Sequence, residues 1–226
     1  MCSRTIALQF ASTLPYTQNW GANDPNNLFL IDGSGYIFRA FYGLPSMSNN
    51  DGVPVNAVFG YTKMLLKLID DFKPIYVAVI FDVARKTFRN DLYDLYKANR
   101  SDPPDELIPQ FSIIRDATNA IGLPVVEMEG YEADDLIATY SDIASKMNKN
   151  VIIVSSDKDL MQLVDQNTTL FDPMKQFWIN DDKVFEKFGV YPNKVIDVQS
   201  LAGDTSDNIP GAVSYTHLTL PTKRIV

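Results

Sequence analysis

Acidic side chains stand at the ends of apolar runs in widely separated parts of this chain. They are Asp32 after LFLI, Asp82 after YVAVIF, Glu132, Asp134 and Asp135 in GYEADD, Asp157 and Asp159 in SSDKD, and Asp204 and Asp207 in GDTSDN. In an open α/β sheet, functional groups collect beyond the carboxyl ends of the strands. If these apolar runs are parallel strands, the acids converge. Bare converging carboxylates repel one another strongly in a low dielectric. An oxygen-only donor set of this kind suits a hard divalent cation, Mg²⁺ or Mn²⁺.

Each segment also has an ordinary structural use. Glu132 and Asp135 are spaced i, i+3 and share a helix face, whereas Asp134 points elsewhere in the same first turn. Acids there complement the helix dipole. Asp157 and Asp159 are one residue apart, so they lie on one side of an extended segment. An aspartate before Leu160 can equally serve as a helix cap, which accounts for one of the two. Asp204 and Asp207 fall in a glycine-bounded turn, and Asp32 and Asp82 are each a strand-end residue. The metal reading therefore rests on conjunction, with all the segments reaching one edge of one sheet.

A second constellation is basic and aromatic: Arg85, Lys86, Phe88, Arg89, Tyr93, Tyr96, Lys97 and Arg100. Lys97 and Arg100 are spaced to project together from a helix. Lysine and arginine supply phosphate contacts, and aromatic rings stack on unpaired bases. Phe38, Arg39 and Tyr42 follow Asp32 in a similar way and extend the same surface.

The elements that must position these groups can be read from periodicity. Strands are expected at Leu28–Ile31, Ile75–Phe81, Pro124–Met128, Val151–Val154 and Thr168–Phe171, with another at Gln176–Ile179. The run Val151–Val154 is continuous and β-branched, as in a parallel strand buried on both sides. Helices are expected at Asn56–Phe72, Asp105–Ile121, Asp134–Met147, Asp181–Phe188 and Asn193–Leu201, and a short one begins at Leu160. This β-α alternation implies an α/β fold with a central, mostly parallel sheet and helices on both faces. Residues 1–26 are polar and irregular and read as an extension.

Composition narrows the chemistry. The chain has 226 residues, a 46% apolar share that is ample for a core, and a formal charge of −8. That charge argues against a uniformly basic nucleic-acid binder, but clustered acids inflate it. The single cysteine, Cys2, precludes an intrachain disulfide and fits a reducing cytoplasm. The single histidine, His217, argues against Ser/His or Cys/His catalysis and against a histidine-ligated zinc site. No stretch is long and apolar enough to span a bilayer.

The segments LFLIDGSGYIFRAFYGLP, VIFDVARKTFRNDLYDLYKANR, GYEADDLIAT, VIIVSSDKDLMQLV and LAGDTSDNIPG resemble, in order, the motifs of the 5′-3′ exonuclease domain of bacterial DNA polymerase I, within the flap endonuclease family. The resemblance runs from about residue 27 to residue 211. It implies a PIN-like three-layer core and hydrolysis of DNA phosphodiesters at a free 5′ end, nick or 5′ flap, with two Mg²⁺ ions or Mn²⁺ in their place. It implies that Asp32, Asp82, Glu132 and Asp134 serve a first metal, and that Asp135, Asp157, Asp159, Asp204 and Asp207 are the remaining acids, the later ones near a second. It implies that Arg89, Lys97 and Arg100 steer the scissile phosphate, that Tyr96 joins that surface, and that Phe38 and Arg39 form an aromatic-arginine pair near the 5′ nucleotide. A monomer that acts with, or is fused to, a polymerase is the expected context. The family continues with a glycine-rich helix-hairpin-helix that grips duplex DNA. Residues 212–226 depart from that pattern and read as an aberrant tail in its place. Two other readings stay open: a branched-DNA-binding module without cleavage, and a PIN-like ribonuclease.

Overall fold

The computed structural model describes residues 23–212, so the expectations for residues 1–22 and 213–226 lie outside the described residues. Six strands form one sheet in the order β3-β2-β1-β4-β5-β6. They are β1 (Asn27–Asp32), β2 (Tyr76–Ile80), β3 (Val125–Val126), β4 (Asn150–Val154), β5 (Thr168–Asp172) and β6 (Phe177–Ile179). The first five are parallel, and β6 returns antiparallel to β5. The helices are α1 (Gly33–Gly43), α2 (Asn56–Phe72), α3 (Phe88–Leu92), α4 (Gln110–Ile121), α5 (Ala133–Lys146), α6 (Asp181–Phe188) and α7 (Val195–Ala202). Among the described residues, no helix is long and apolar enough to cross a membrane.

The period-2 alternation of the strands builds a core on each face. Leu28 and Leu30 of β1 join Val151 and Ile153 of β4 against Leu136, Ile137 and Ala144 of α5. Phe29 and Ile31 join Ile152 and Val154 against Tyr36 and Ile37 of α1 and Tyr61 and Leu65 of α2. Because both faces are covered, β1 and β4 carry unbroken apolar runs at 28–31 and 151–154 and are buried end to end. They are also neighbours although β2 and β3 lie between them in sequence. The chain thus leaves β1 in one direction and returns on its other side. Such a switch point opens a crevice beyond the carboxyl ends of the strands.

Several local expectations change. The segment after Asp32, to which periodicity assigns no helix, opens α1 at once, with Asp32 as the cap accepting from the Gly35 amide at 3.0 Å. The helix expected from Asp105 begins only at Gln110, directly after Pro109. Proline supplies no amide and clashes with the preceding turn, so a helix running through it is disfavoured. Lys97 and Arg100 do not project from a helix: α3 ends at Leu92, and Lys97 has a left-handed φ of 55°. Its amide is captured instead by the carbonyl of Asp207 at 2.9 Å. Asp157 and Asp159 are not extended either. Asp157 Oδ1 accepts from the Asp159 amide at 2.9 Å, which starts a 3-10 turn over Asp159–Leu163.

The loop bearing Asp204 and Asp207 is pinched between Asp204 and Ile209, whose backbones bond in both directions at 2.9 and 2.7 Å. Gly203 makes this closure possible. It has a φ of 73°, and a Cβ there would stand 2.6 Å from the Ile209 carbonyl oxygen.

Candidate active site

The nine acids come to the carboxyl end of the sheet, but their environments divide them. Five form no ion pair among the described residues: Asp32, Asp82, Asp134, Asp157 and Asp159, the last receiving the Gln199 amide instead. Asp32 ends β1 and accepts from Gly35 N through Oδ1 and from Ser155 Oγ at 2.9 Å through Oδ2. Asp82 follows β2 and accepts from the amide of Ala133, the first residue of α5, at 2.8 Å. Its own amide donates to Ser34 Oγ at 3.1 Å. Asp134, in the first turn of α5, has no hydrogen-bonding partner among the described residues.

Burial pushes Asp32 up to about 6, and repulsion from Asp82 and Asp157 adds to it against the Gly35 and Ser155 hydrogen bonds. Burial likewise holds Asp134 well above the usual carboxylate range, with Asp32, Asp157 and Asp82 repelling it. Asp159 is raised by burial and by its neighbour Asp157, with Gln199 donating to it in compensation.

The other four acids are paired with cations, three of them with the basic segment and Asp204 with Lys158. Glu132 caps α5 and receives Lys97 Nζ at 2.8 Å and the Tyr96 hydroxyl at 3.0 Å. Asp135 is gripped by the Arg89 fork through two bonds of 2.7 Å and accepts from the Glu132 amide at 3.0 Å, closing a capping box. Burial opposes ionisation of Asp135, but Arg89 holds its carboxyl below the usual range. Asp207 accepts from Arg100 and shares the single Tyr96 hydroxyl proton with Glu132, its carboxylate 3.1 Å from the phenol oxygen. Asp204 meets Lys158 Nζ at 2.8 Å and turns Oδ1 toward the Ser206 amide at 2.8 Å. Against burial, Lys158 and Ser206 bring it to about 2.

Two hollows flank this arrangement. One, of about 920 Å³, is lined by Phe38, Tyr42, Arg85, Lys97, Arg100 and Phe111 and reaches Asp82 and Glu132. The other, of about 370 Å³, is lined by Glu132, Asp134, Asp135, Asp159, Asp204 and Asp207. Glu132 and Tyr96 border both.

Phe38 stands edge-on to Phe111 in the larger hollow, and Arg39 is exposed on the same helix. Tyr96 departs from the stacking role read from sequence. It is only 5% exposed, Lys97 Nζ lies over its ring at 5.0 Å, and its hydroxyl faces two carboxylates. No face is left for a base. Arg85 braces the far side through Asp102 and the Arg100 carbonyl, Lys86 pairs with Asp91 at 3.3 Å, and Phe88 carries Arg89 over its ring.

The donor set fits a hard cation. It is all oxygen, it is anionic, and five of its members form no ion pair among the described residues. Among the described residues no three acidic side chains close on a common point at ligand distance. Mg²⁺ keeps several waters and takes one or two carboxylates directly, so dispersed acids suit ions held partly through water.

Sequence reasoning passed over Ser155, Lys158, Gln199 and Arg115. Arg115 donates to the Asp82 carbonyl at 2.8 Å and to Glu127 at 2.7 Å, and lies over the Phe81 ring at 4.9 Å. Nothing in its helix pattern distinguishes it from any exposed arginine. Lys158 and Ser155 lie inside SSDKD, where the aspartates drew the reading.

A family model described as "5′-3′ exonuclease, N-terminal resolvase-like domain" matches residues 27–189. DNA polymerase I of Rhizobium leguminosarum is 55% identical over 194 residues, covering 82% of this chain and 19% of that protein. A 5′-3′ exonuclease of Aquifex aeolicus is 41% identical over 184 residues, covering 81% of this chain and 64% of that protein. The chain thus spans about a fifth of the polymerase relative and less than two thirds of the exonuclease. Among solved structures, the T5 D15 protein co-crystallised with metal ions aligns with a TM-score of 0.69 at 22% identity, over 83% of this chain and 70% of that one. The T5 D15 flap endonuclease in a pseudo-enzyme-product complex with DNA and metal ions aligns at 0.68 and 21% identity, with the same coverage. At such identity these likenesses show the fold.

Proposed function

The chain belongs to the family described as the 5′-3′ exonuclease, N-terminal resolvase-like domain, and from that premise we propose that it hydrolyses DNA phosphodiesters at a free 5′ end, nick or 5′ flap, using divalent cations. The observation that carries this reading is that four of the carboxylates without an ion-pair partner, Asp32, Asp82, Asp134 and Asp157, gather beyond β1, β2 and β4 beside a hollow lined with Lys97 and Arg100. Metal-bound relatives of the same fold support it.

Asp32, Asp82, Asp134 and Asp157 would hold the ions, with Glu132, Asp159, Asp204 and Asp207 at the rim of the same site. Mg²⁺ is the preferred ion, on the all-oxygen donor set. Bound there, it supplies Lewis-acid polarisation of the phosphodiester and a water of lowered pKa. Lys97 and Arg100, at the border of hollow and acid cluster, offset charge on the phosphate in the transition state. Phe38 and Arg39 on α1 contact the strand near its 5′ end. Arg89 acts indirectly, by fixing Asp135 and hence the first turn of α5. Tyr96 holds the basic segment against Glu132 and Asp207 rather than touching substrate. No protein nucleophile is required, in keeping with a sequence that has one cysteine and one histidine. Contacts of this type go to the backbone, so selectivity follows strand ends and shape rather than base sequence.

A labelled 5′-flap duplex incubated with the protein tests the proposal. Cleavage with Mg²⁺ and none with EDTA is the expected pair of results. Binding without cleavage in both conditions, or equal cleavage in both, contradicts it.

A further inference from the structure

One buried hydroxyl joins the two acid-bearing strands at the switch point. Ser155, just past β4, is 3% exposed, and its backbone is tied to β5 by a 3.2 Å bond from its amide to the Phe171 carbonyl. Its Oγ lies 2.9 Å from Asp32 Oδ2 and accepts the Asp157 amide at 3.0 Å. A serine hydroxyl carries one proton. The Asp157 amide takes one of the oxygen's lone pairs, and the proton is donated to Asp32, the acceptor within reach. The two Asp32 oxygens therefore each receive one fixed donor, Gly35 N on Oδ1 and Ser155 on Oδ2, and the carboxylate cannot rotate without breaking one of them. The same oxygen sets the backbone from which Asp157 projects.

We infer that Ser155 is a positioning residue that aims Asp32 and Asp157 together at a divalent cation. This rests on the metal reading proposed above and goes beyond it by assigning a role outside the acids. Ligating carboxylates are generally oriented by such outer hydrogen bonds, whose loss weakens ion binding by about 10- to 100-fold.

The test compares Ser155→Thr, which keeps the hydroxyl, with Ser155→Val, which has nearly the same shape without it. Binding of MnCl₂ to the full chain is measured by calorimetry in the absence of DNA, and melting temperature is measured in EDTA. The threonine variant is expected to bind within about twofold of the unaltered protein, and the valine variant about tenfold or more weaker. Ser155→Ala adds no bulk and carries the same expectation as valine, so a folding defect confined to the valine variant leaves the test intact. Unaltered Mn²⁺ affinity in the alanine or valine variant overturns the role of Ser155 alone. Absence of Mn²⁺ binding by the unaltered protein overturns the metal reading as well.

Discussion

Two groups of carboxylates a few residues apart in sequence have opposite physical lives. In GYEADD, Asp134 faces Asp32, Asp82 and Asp157, with burial and repulsion both opposing its charge. Its neighbour Asp135 is held ionised by the Arg89 fork and the Glu132 amide. The unpaired group is a load on the fold, tolerable for what it can bind. The paired group knits the segment after β2 to α5 and to the Asp204–Ile209 loop. Under the proposed function, an acid's contribution to stability has the opposite sign to its contribution to ion binding.

The most severe way to break that contrast is through the unpaired acids. Asp157→Asn and Asp134→Asn should each lower Mg²⁺-dependent flap cleavage by more than about a hundredfold, beyond what losing an outer-sphere partner does. Their melting temperatures without metal should be equal to or above that of the unaltered protein. A lowered melting temperature with full turnover would place them in the other group.

The pH dependence of stability sharpens the same point. Asp32 titrates near 6 when folded, against 3.8 as a free side chain. Between those values the folded state holds a proton that the unfolded state has released. Stability from this group is therefore greatest at low pH and is lost as pH rises from about 4 to about 6. A rise of that size corresponds to about 3 kcal/mol. Metal-free melts of the unaltered protein and of Asp32→Asn should diverge across that window, the variant becoming the more stable, and Mg²⁺ should raise only the unaltered protein. Asp204 runs the other way. Its folded value near 2 makes its contribution full above about 4 and lost as pH falls toward 2.

Within the paired group, Arg89→Met leaves Asp135 partly buried without its fork. That should destabilise by roughly 1–3 kcal/mol, the range for an orphaned buried acceptor, lowering the melting temperature by several degrees. The smallest effect belongs to Lys146→Ala. Its pair with Asp142 is 2.6 Å long but both side chains are more than half exposed, so a change within about 0.5 kcal/mol is expected by denaturant titration.

Much of the scaffold was legible from pattern. α2 and α6 fall on the residues read from apolar spacing, and the β-branched run at Val151–Val154 is buried on both faces. The misreadings have local causes. Gly33 and Gly35 disguised α1, although Asp32 is its cap, and Pro109 delayed α4. Left-handed geometry at Lys97 redirected the basic segment, and nothing in the residues around it signals that conformation. Tyr96 looked like a stacking ring because sequence shows an aromatic beside basic residues without showing which surface covers it.

By itself the sequence determined the donor types, their attachment to strand and helix ends, and the alternation of one mostly parallel sheet. These follow from residue chemistry and short-range periodicity. Only the tertiary structure decided which acids meet cations and which meet one another. That choice depends on distances between segments more than a hundred positions apart, 111 for Tyr96 and Asp207 and 123 for Asp32 and Ser155, and electrostatic free energy is set by such distances and by burial, neither of which a linear string contains.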